Sequence, residues 1–120
     1  MKLNLSKSRA IGPQICEQLC ASIAAGDVKS GQRLMPVRDI ATKLGVNPNT
    51  VQHAFELLEQ QEVLCSRQGS GWYIAEDTEA ACRLHQQAIR EKLDIFFKEM
   101  EQMGISPEET KKMVEEWSDG

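Results

Sequence analysis

Asn49, Gln52, His53 and Glu56 stand at i, i+3, i+4 and i+7, so a helix through them carries all four on one face. Carboxamides and imidazole both donate and accept hydrogen bonds, and that combination suits the edges of base pairs in a DNA major groove. Val51, Ala54, Phe55 and Leu58 repeat the same spacing on the other side. One face is therefore core and the other is free to read a surface. An enzyme finds little support, because no nucleophile, base and orienting group recur at a recognisable spacing.

The elements that must position this face are legible around it. Asn47 is a good N-cap and Pro48 suits the first helical position, which opens a helix over residues 48–61. Upstream, Val37, Ile40, Ala41 and Leu44 form a second apolar stripe, and Gly45 can take the left-handed conformation that closes it. Two short helices joined by a glycine-containing turn make a helix-turn-helix, whose second helix enters the major groove. Downstream, Val63–Arg67 and Trp72–Ile74 are β-prone runs flanking Gln68-Gly69-Ser70-Gly71, a hairpin over residues 63–74. A hairpin directly after a helix-turn-helix is a wing. Its glycines let backbone approach a phosphate or minor-groove wall, with Arg67 and Gln68 supplying charge and hydrogen bonds. The plain alternative for each part is an ordinary helix pair and a connecting hairpin.

Before these parts, residues 1–10 read as a flexible arm, with Leu3 and Leu5 available for a short edge contact. Pro13 opens a scaffold helix that ends at Gly26, and Gln32-Arg33-Leu34 reads as a short strand. Ile15, Cys16, Leu19, Cys20 and Ile23 share the inward face of that scaffold helix, so Cys16 and Cys20 read as small buried hydrophobes, against a redox role. The four cysteines form no Cys-x-x-Cys pair and the two histidines are distant, so neither a metal site nor a cofactor is expected.

A net charge of −4 argues against a nucleic-acid partner until it is divided along the chain. Residues 1–75 hold 8 Lys and Arg against 6 Asp and Glu, and residues 76–120 hold 6 against 12. The acid sits in the tail. Phosphate binding must then come from placed residues and backbone amides rather than a broad basic field. No apolar run has the length of a membrane span and the N-terminus lacks a signal-peptide segment, so a cytoplasmic protein without membrane partners is expected.

The tail, residues 76–120, has helical composition. Ala81, Leu84, Ala88, Phe96, Met100 and Met103 form a drifting apolar stripe from Thr78 to Met103, and Gly104 ends it. Ser106-Pro107-Glu108-Glu109 is a capping box for a last helix in which Thr110, Met113, Val114 and Trp117 share a face. Two such helices are too small to enclose a ligand pocket but can pair with a copy of themselves. Leu84, Ala88, Phe96, Met100, Met103, Met113 and Trp117 are the expected dimerisation residues.

The order helix, short strand, helix, turn, helix, two-stranded wing resembles the winged helix-turn-helix domain of the GntR family of bacterial transcription regulators. The resemblance covers Gly12 to Ile74 and rests on Gly31-x-x-Leu34, Val37-Arg38-Asp39-Ile40-Ala41, Leu44-Gly45-Val46-Asn47-Pro48-Asn49-Thr50-Val51 and Gly69-Ser70-Gly71. It implies DNA contacts from Arg38, Asn49, Thr50, Gln52 and Gly69. Asn-Pro-Asn-Thr-Val is typical of the YtrA-like branch, whose short helical C-terminal region dimerises and whose members commonly control operons for ATP-driven transporters. The chain departs from the family at Leu34-Met35-Pro36, which lacks the usual serine cap, at Pro48, often arginine elsewhere, and at Trp72, usually small or polar.

The expected fold is mainly α (α+β): an N-terminal winged helix-turn-helix domain over residues 11–75 with a small two-stranded wing, followed by a C-terminal helical dimerisation hairpin. The expected function is a homodimeric, sequence-specific regulator, a repressor, binding double-stranded operator DNA with inverted-repeat symmetry. The expected DNA contacts are Arg38, Lys43, Asn47, Asn49, Thr50, Gln52, His53, Arg67, Gln68, Gly69 and Ser70. The alternative is a winged-helix protein-interaction module without DNA binding, which the acidic total favours. The sequence names no small effector.

Overall fold

The computed structural model describes residues 3–118. Helix α1 spans Ile11–Ala25, α2 Val37–Leu44 and α3 Pro48–Gln60; strands β1 Leu64–Arg67 and β2 Gly71–Ile74 follow, then α4 Glu79–Gln102 and α5 Pro107–Glu116. The expected mainly helical winged helix-turn-helix architecture is present.

The apolar stripes of α1, α2 and α3 each become one wall of a core. Ile15, Leu19 and Ile23 of α1, Ile40 and Ala41 of α2, and Val51, Ala54, Phe55 and Leu58 of α3 are buried together with Val63, Leu64 and Ile74. Cys20 joins them, and its thiol is pushed up to about 11 by burial and by the neighbouring Cys16 and Cys82 sulfurs. Cys16 is half-buried, with its thiol donating to the Ala54 carbonyl at 3.7 Å. Both behave as small hydrophobes.

The strands pair antiparallel with Leu64 opposite Ile74 and Arg67 opposite Gly71. Gly71 is thus already strand, and the turn shortens to Gln68-Gly69-Ser70, with Gly69 at φ 74° and the Ser70 amide bonded to the Arg67 carbonyl at 2.9 Å. The short strand expected at residues 32–34 pairs along β2: the Leu34 amide donates to Trp72, the Ile74 amide to Gln32, and Arg33 lies opposite Tyr73.

Three expectations need correction. The flexible arm is tied to α1 along its described part. Buried Gln14 accepts from the Ser6 amide and donates to the carbonyls of Ser6, Arg9 and Ala10, while Gln18 both accepts from and donates to the Asn4 backbone. Such carboxamides substitute for a neighbouring strand, satisfying backbone that would otherwise need water. Second, the chain divides between Gln86 and Gln87 rather than at residue 75, because Ala80 and Ala81 at the start of α4 are buried in the core and Leu84 packs against it. Third, Trp117 is the C-cap of α5, in extended conformation, rather than part of its helical face.

The second unit, from Gln87 onward, is built differently. Ser106 caps α5 as its sequence implies, accepting from the Glu109 amide at 3.2 Å. Thr110 is its buried residue, its hydroxyl donating to the Ser106 carbonyl at 2.9 Å. Phe96, Met103, Met113, Val114 and Trp117 stand exposed, as do Ile89, Leu93 and Ile95, which the sequence stripe had not singled out.

Candidate nucleic-acid interface

The recognition face is built by capping at both ends of a three-residue turn. Gly45, at φ 69°, closes α2 in the left-handed conformation, and the Val46 amide reaches back to the Ala41 carbonyl at 3.0 Å. Asn47 then opens α3, its side-chain oxygen accepting from the Asn49 amide at 2.8 Å. That bond commits the Asn47 carboxamide oxygen to the cap, so its NH2 is the group left to face a ligand. The serine missing before α2 is replaced by backbone alone. The Pro36 carbonyl accepts from the Asp39 and Ile40 amides at 3.0 Å, with no side-chain cap.

Asn49, Gln52 and His53 are all exposed, on a helix whose opposite residues Val51, Ala54, Phe55 and Leu58 are completely buried. Arg38 at the start of α2 and Lys43 at its end are exposed too. Thr50 departs from this set. It is half-buried and lines a groove of about 440 Å³ between the N-terminal segment (Leu5, Lys7, Arg9, Ala10, Ile11) and the turn (Leu44–Asn47). Lys7 and Arg9 were not singled out by sequence reasoning, which had treated their segment as unattached. The Gln14 and Gln18 bonds, the Arg9–Glu17 ion pair at 3.2 Å and the packing of Leu5 against the core tie their segment to the domain.

The wing is fixed to α3 from its inner side. Trp72 stacks edge-on against Phe55, with ring centroids 5.7 Å apart, so the bulky departure from the family pattern anchors the wing to the core. Glu59 accepts from both the amide and the hydroxyl of Ser66, at 2.9 and 2.7 Å, and these bonds hold its carboxyl below the ordinary range. On the outer side, the Arg67 guanidinium lies 4.1 Å above the Tyr73 ring, and the Tyr73 hydroxyl meets that of Ser70. Gln68 and Gly69 are exposed at the tip, whereas Ser70 is half-buried with its hydroxyl engaged. Arg33, also exposed, reaches across this outer side to Gly71. Alternation in the strand 32–34 would have placed it opposite buried Leu34, but its pairing partner depends on a contact 40 residues away. Among the described residues no group of three or more His, Cys, Asp or Glu is placed to hold a metal ion.

This arrangement matches a known family. Residues 12–74 fit the family described as bacterial regulatory proteins, gntR family, from the start of α1 to the end of the wing. The chain belongs to the GntR family. Over all 120 residues this GntR regulator is 30% identical to the HTH-type transcriptional regulator YhcF of Bacillus subtilis, matching 99% of that protein. It is 34% identical to the HTH-type transcriptional repressor YtrA of Bacillus subtilis over 77 residues, 64% of this chain and 59% of the other, in keeping with the YtrA-like affinity read from the sequence. A GntR family transcriptional regulator from Listeria monocytogenes superimposes with a TM-score of 0.81 at 32% identity, covering 95% of this chain and all of that one. The protein is thus a transcriptional regulator with a DNA-binding helix-turn-helix, not an enzyme. Among the described residues no helix is long and apolar enough to cross a membrane.

Proposed function

We propose that this regulator is a cytoplasmic homodimer that represses transcription by binding an inverted-repeat operator, with α3 in the major groove and the wing at the backbone or minor groove. The observation that carries the reading is the division of α3. Asn49, Gln52 and His53 are exposed along a helix that Phe55 and Leu58 fix in the core and that Trp72 and Ser66 tie to the wing. A rigidly seated helix can hold carboxamides in register with base edges, where each good contact discriminates by about 1–3 kcal/mol. Arg38 and Lys43 supply phosphate contacts beside it, with Arg67, Gln68 and Gly69 at the wing and Asn47, Thr50 and Ser70 contributing at their partly engaged positions.

Dimerisation is assigned to Phe96, Met100, Met103, Met113 and Trp117, supported by their accumulation on a unit that buries almost nothing of its own. Phe96, Met100, Met113, Val114 and Trp117 surround an apolar cavity of about 380 Å³ that a copy of the same hairpin would fill. Ala88 is half-buried, and Leu84 packs against the core. Repression is supported by the similarity to the YtrA repressor. The interaction-module alternative would cover Arg38, Lys43 and the α3 polar face or present an apolar patch; the polar groups are exposed, and the exposed apolar set of residues 87–118 is taken up by the proposed dimer.

Fluorescence anisotropy with the DNA upstream of the protein's own gene, against a scrambled duplex and across a salt series, tests the reading. Selective binding whose affinity falls steeply with salt, together with a dimer by sedimentation equilibrium, is the expected result. Equal binding to both duplexes would overturn it.

A further inference from the structure

The wing has two faces set by its register. Leu64, Ser66, Trp72 and Ile74 occupy the inner one, against α3 and the core; Cys65, Arg67, Gly71 and Tyr73 occupy the outer one. Arg33 joins the outer face. The bonds from Leu34 to Trp72 and from Ile74 to Gln32 bracket Arg33 and Tyr73 as a non-hydrogen-bonded antiparallel pair, the kind whose side chains stand closest. Its guanidinium extends toward the tip, with Nε and Nη2 at 3.6 Å from the point where a side chain on Gly71 would begin. Arg67, directly opposite Gly71, lies over Tyr73. The Arg33 guanidinium thus lies against Gly71 while that of Arg67 lies over Tyr73, both on the outer face, and the missing side chain of Gly71 leaves backbone open beside Arg33.

Neither arginine has an ion pair among the described residues, where Arg9 pairs with Glu17 and Arg90 with Asp94. The Glu76 carboxylate lies against Gly31, at the other end of the Arg33 strand, and makes no ion pair with Arg33. Two exposed guanidinium groups held in place by strand pairing and by an aromatic ring, with no carboxylate answering them, complement an anion that offers several oxygens in a row. We infer that the outer face of the wing is a phosphodiester-binding face, in which Arg33 beside Gly71 and Arg67 over Tyr73 grip one strand of the duplex backbone. This rests on the DNA-binding reading above and adds Arg33, together with a defined phosphate cradle, to the contacts considered there. It also addresses the thin positive charge of residues 1–75, since two arginines on one small face concentrate what the composition lacks in total.

The test uses the full-length protein with the upstream duplex and the scrambled duplex, in sodium chloride from 50 to 200 mM. Arg33→Ala should flatten the plot of log affinity against log salt by about 0.9 per protomer, equally on both duplexes, so selectivity is unchanged. Arg33→Lys should restore the slope. Arg33→Ala with Arg67→Ala should flatten it by about twice as much, and melting temperatures should stay within a degree or two of the parent because Arg33 is exposed. A selective parent whose slope is unaltered by Arg33→Ala overturns this inference and leaves the regulator standing. A parent that binds both duplexes equally, yet loses slope in Arg33→Ala, overturns the regulator and supports the wing face. No binding to either duplex overturns both.

Discussion

Phe55 and Phe96 are the same residue in helices of similar amphipathic composition, yet Phe55 is 0% exposed and Phe96 is 41% exposed. Around Phe55, three helices and the wing close on one core, and polar groups are left outside to meet a ligand. Around Phe96 the pattern inverts: large apolar side chains are outside, and among residues 87–118 the buried one is a threonine. The first unit has the chemistry of a self-sufficient domain. In the reading proposed above the second is half of a dimer interface, because its exposed apolar side chains would then be buried by a copy of themselves.

Truncating each phenylalanine breaks this comparison if it is wrong. Phe55→Ala should destabilise the protein by about 3–5 kcal/mol in urea unfolding, since it removes a fully buried ring and the edge contact that seats Trp72. Phe96→Ala should leave the unfolding of the first unit nearly untouched and act on assembly, raising the dimer dissociation constant by roughly tenfold or more in sedimentation equilibrium, because a two-fold interface loses the ring twice. A large unfolding penalty for Phe96→Ala with unchanged assembly would mean that the hairpin is a domain core and not an interface.

Next in size is the recognition face. Gln52→Ala and His53→Ala should each reduce discrimination between operator and altered operator by about 1–3 kcal/mol, with little effect on binding to scrambled DNA. Arg38→Ala should instead weaken both duplexes together. Competition binding with single base-pair changes separates the two patterns. Uniform weakening by Gln52→Ala would move that residue from reading bases to holding backbone.

How much of this was legible follows the same division between local and distant causes. Gly45, Asn47 and Ser106 act on backbone within four residues of themselves, so the helix-turn-helix and the α5 cap could be read directly from spacing. The wing hairpin was legible for the same reason, apart from the extra residue Gly71 adds to β2. Gln14, Arg33 and Ala80 were not. Gln14 looks like any polar helix residue until the chain preceding it folds back, Arg33 takes its place from pairing with Tyr73, and the domain boundary falls inside α4 because Ala80 and Ala81 reach a core made by other helices. Their roles depend on contacts that periodicity does not encode.

A smaller effect is expected where α3 hands over to the wing. Glu62 has φ 66°, the position at which helices commonly end on glycine, with its amide bonded to Glu59 and that of Val63 to Leu58. A residue with a side chain is strained there, so Glu62→Gly should stabilise the protein by about 0.5–1 kcal/mol after the added freedom of the unfolded chain is deducted. Thermal unfolding would show a rise of a few degrees. A fall would mean that Glu62 makes a contact worth more than its backbone strain.

The smallest effect concerns the tie between Glu59 and Ser66, the polar counterpart of the Phe55–Trp72 contact on the same side of the wing. Hydrogen bonds from the Ser66 hydroxyl and amide lower the Glu59 pKa from the usual 4.5. The folded protein therefore takes up this proton less readily than the unfolded chain, and the contribution to stability is fully present above the unfolded value and disappears as pH falls through the folded one. The group is exposed, so solvent screening keeps its effect on global unfolding small. A local readout is the sensitive one. The Ser66 amide resonance should shift with an acid midpoint below 4.5 in the parent protein, and that transition should be absent in Glu59→Gln. A midpoint at or above 4.5 would show that the carboxylate is not bonded to the wing. The aromatic contact would then be left to hold recognition helix and wing in register, and Trp72→Ala, rather than Glu59→Gln, would become the substitution that uncouples base reading from phosphate binding.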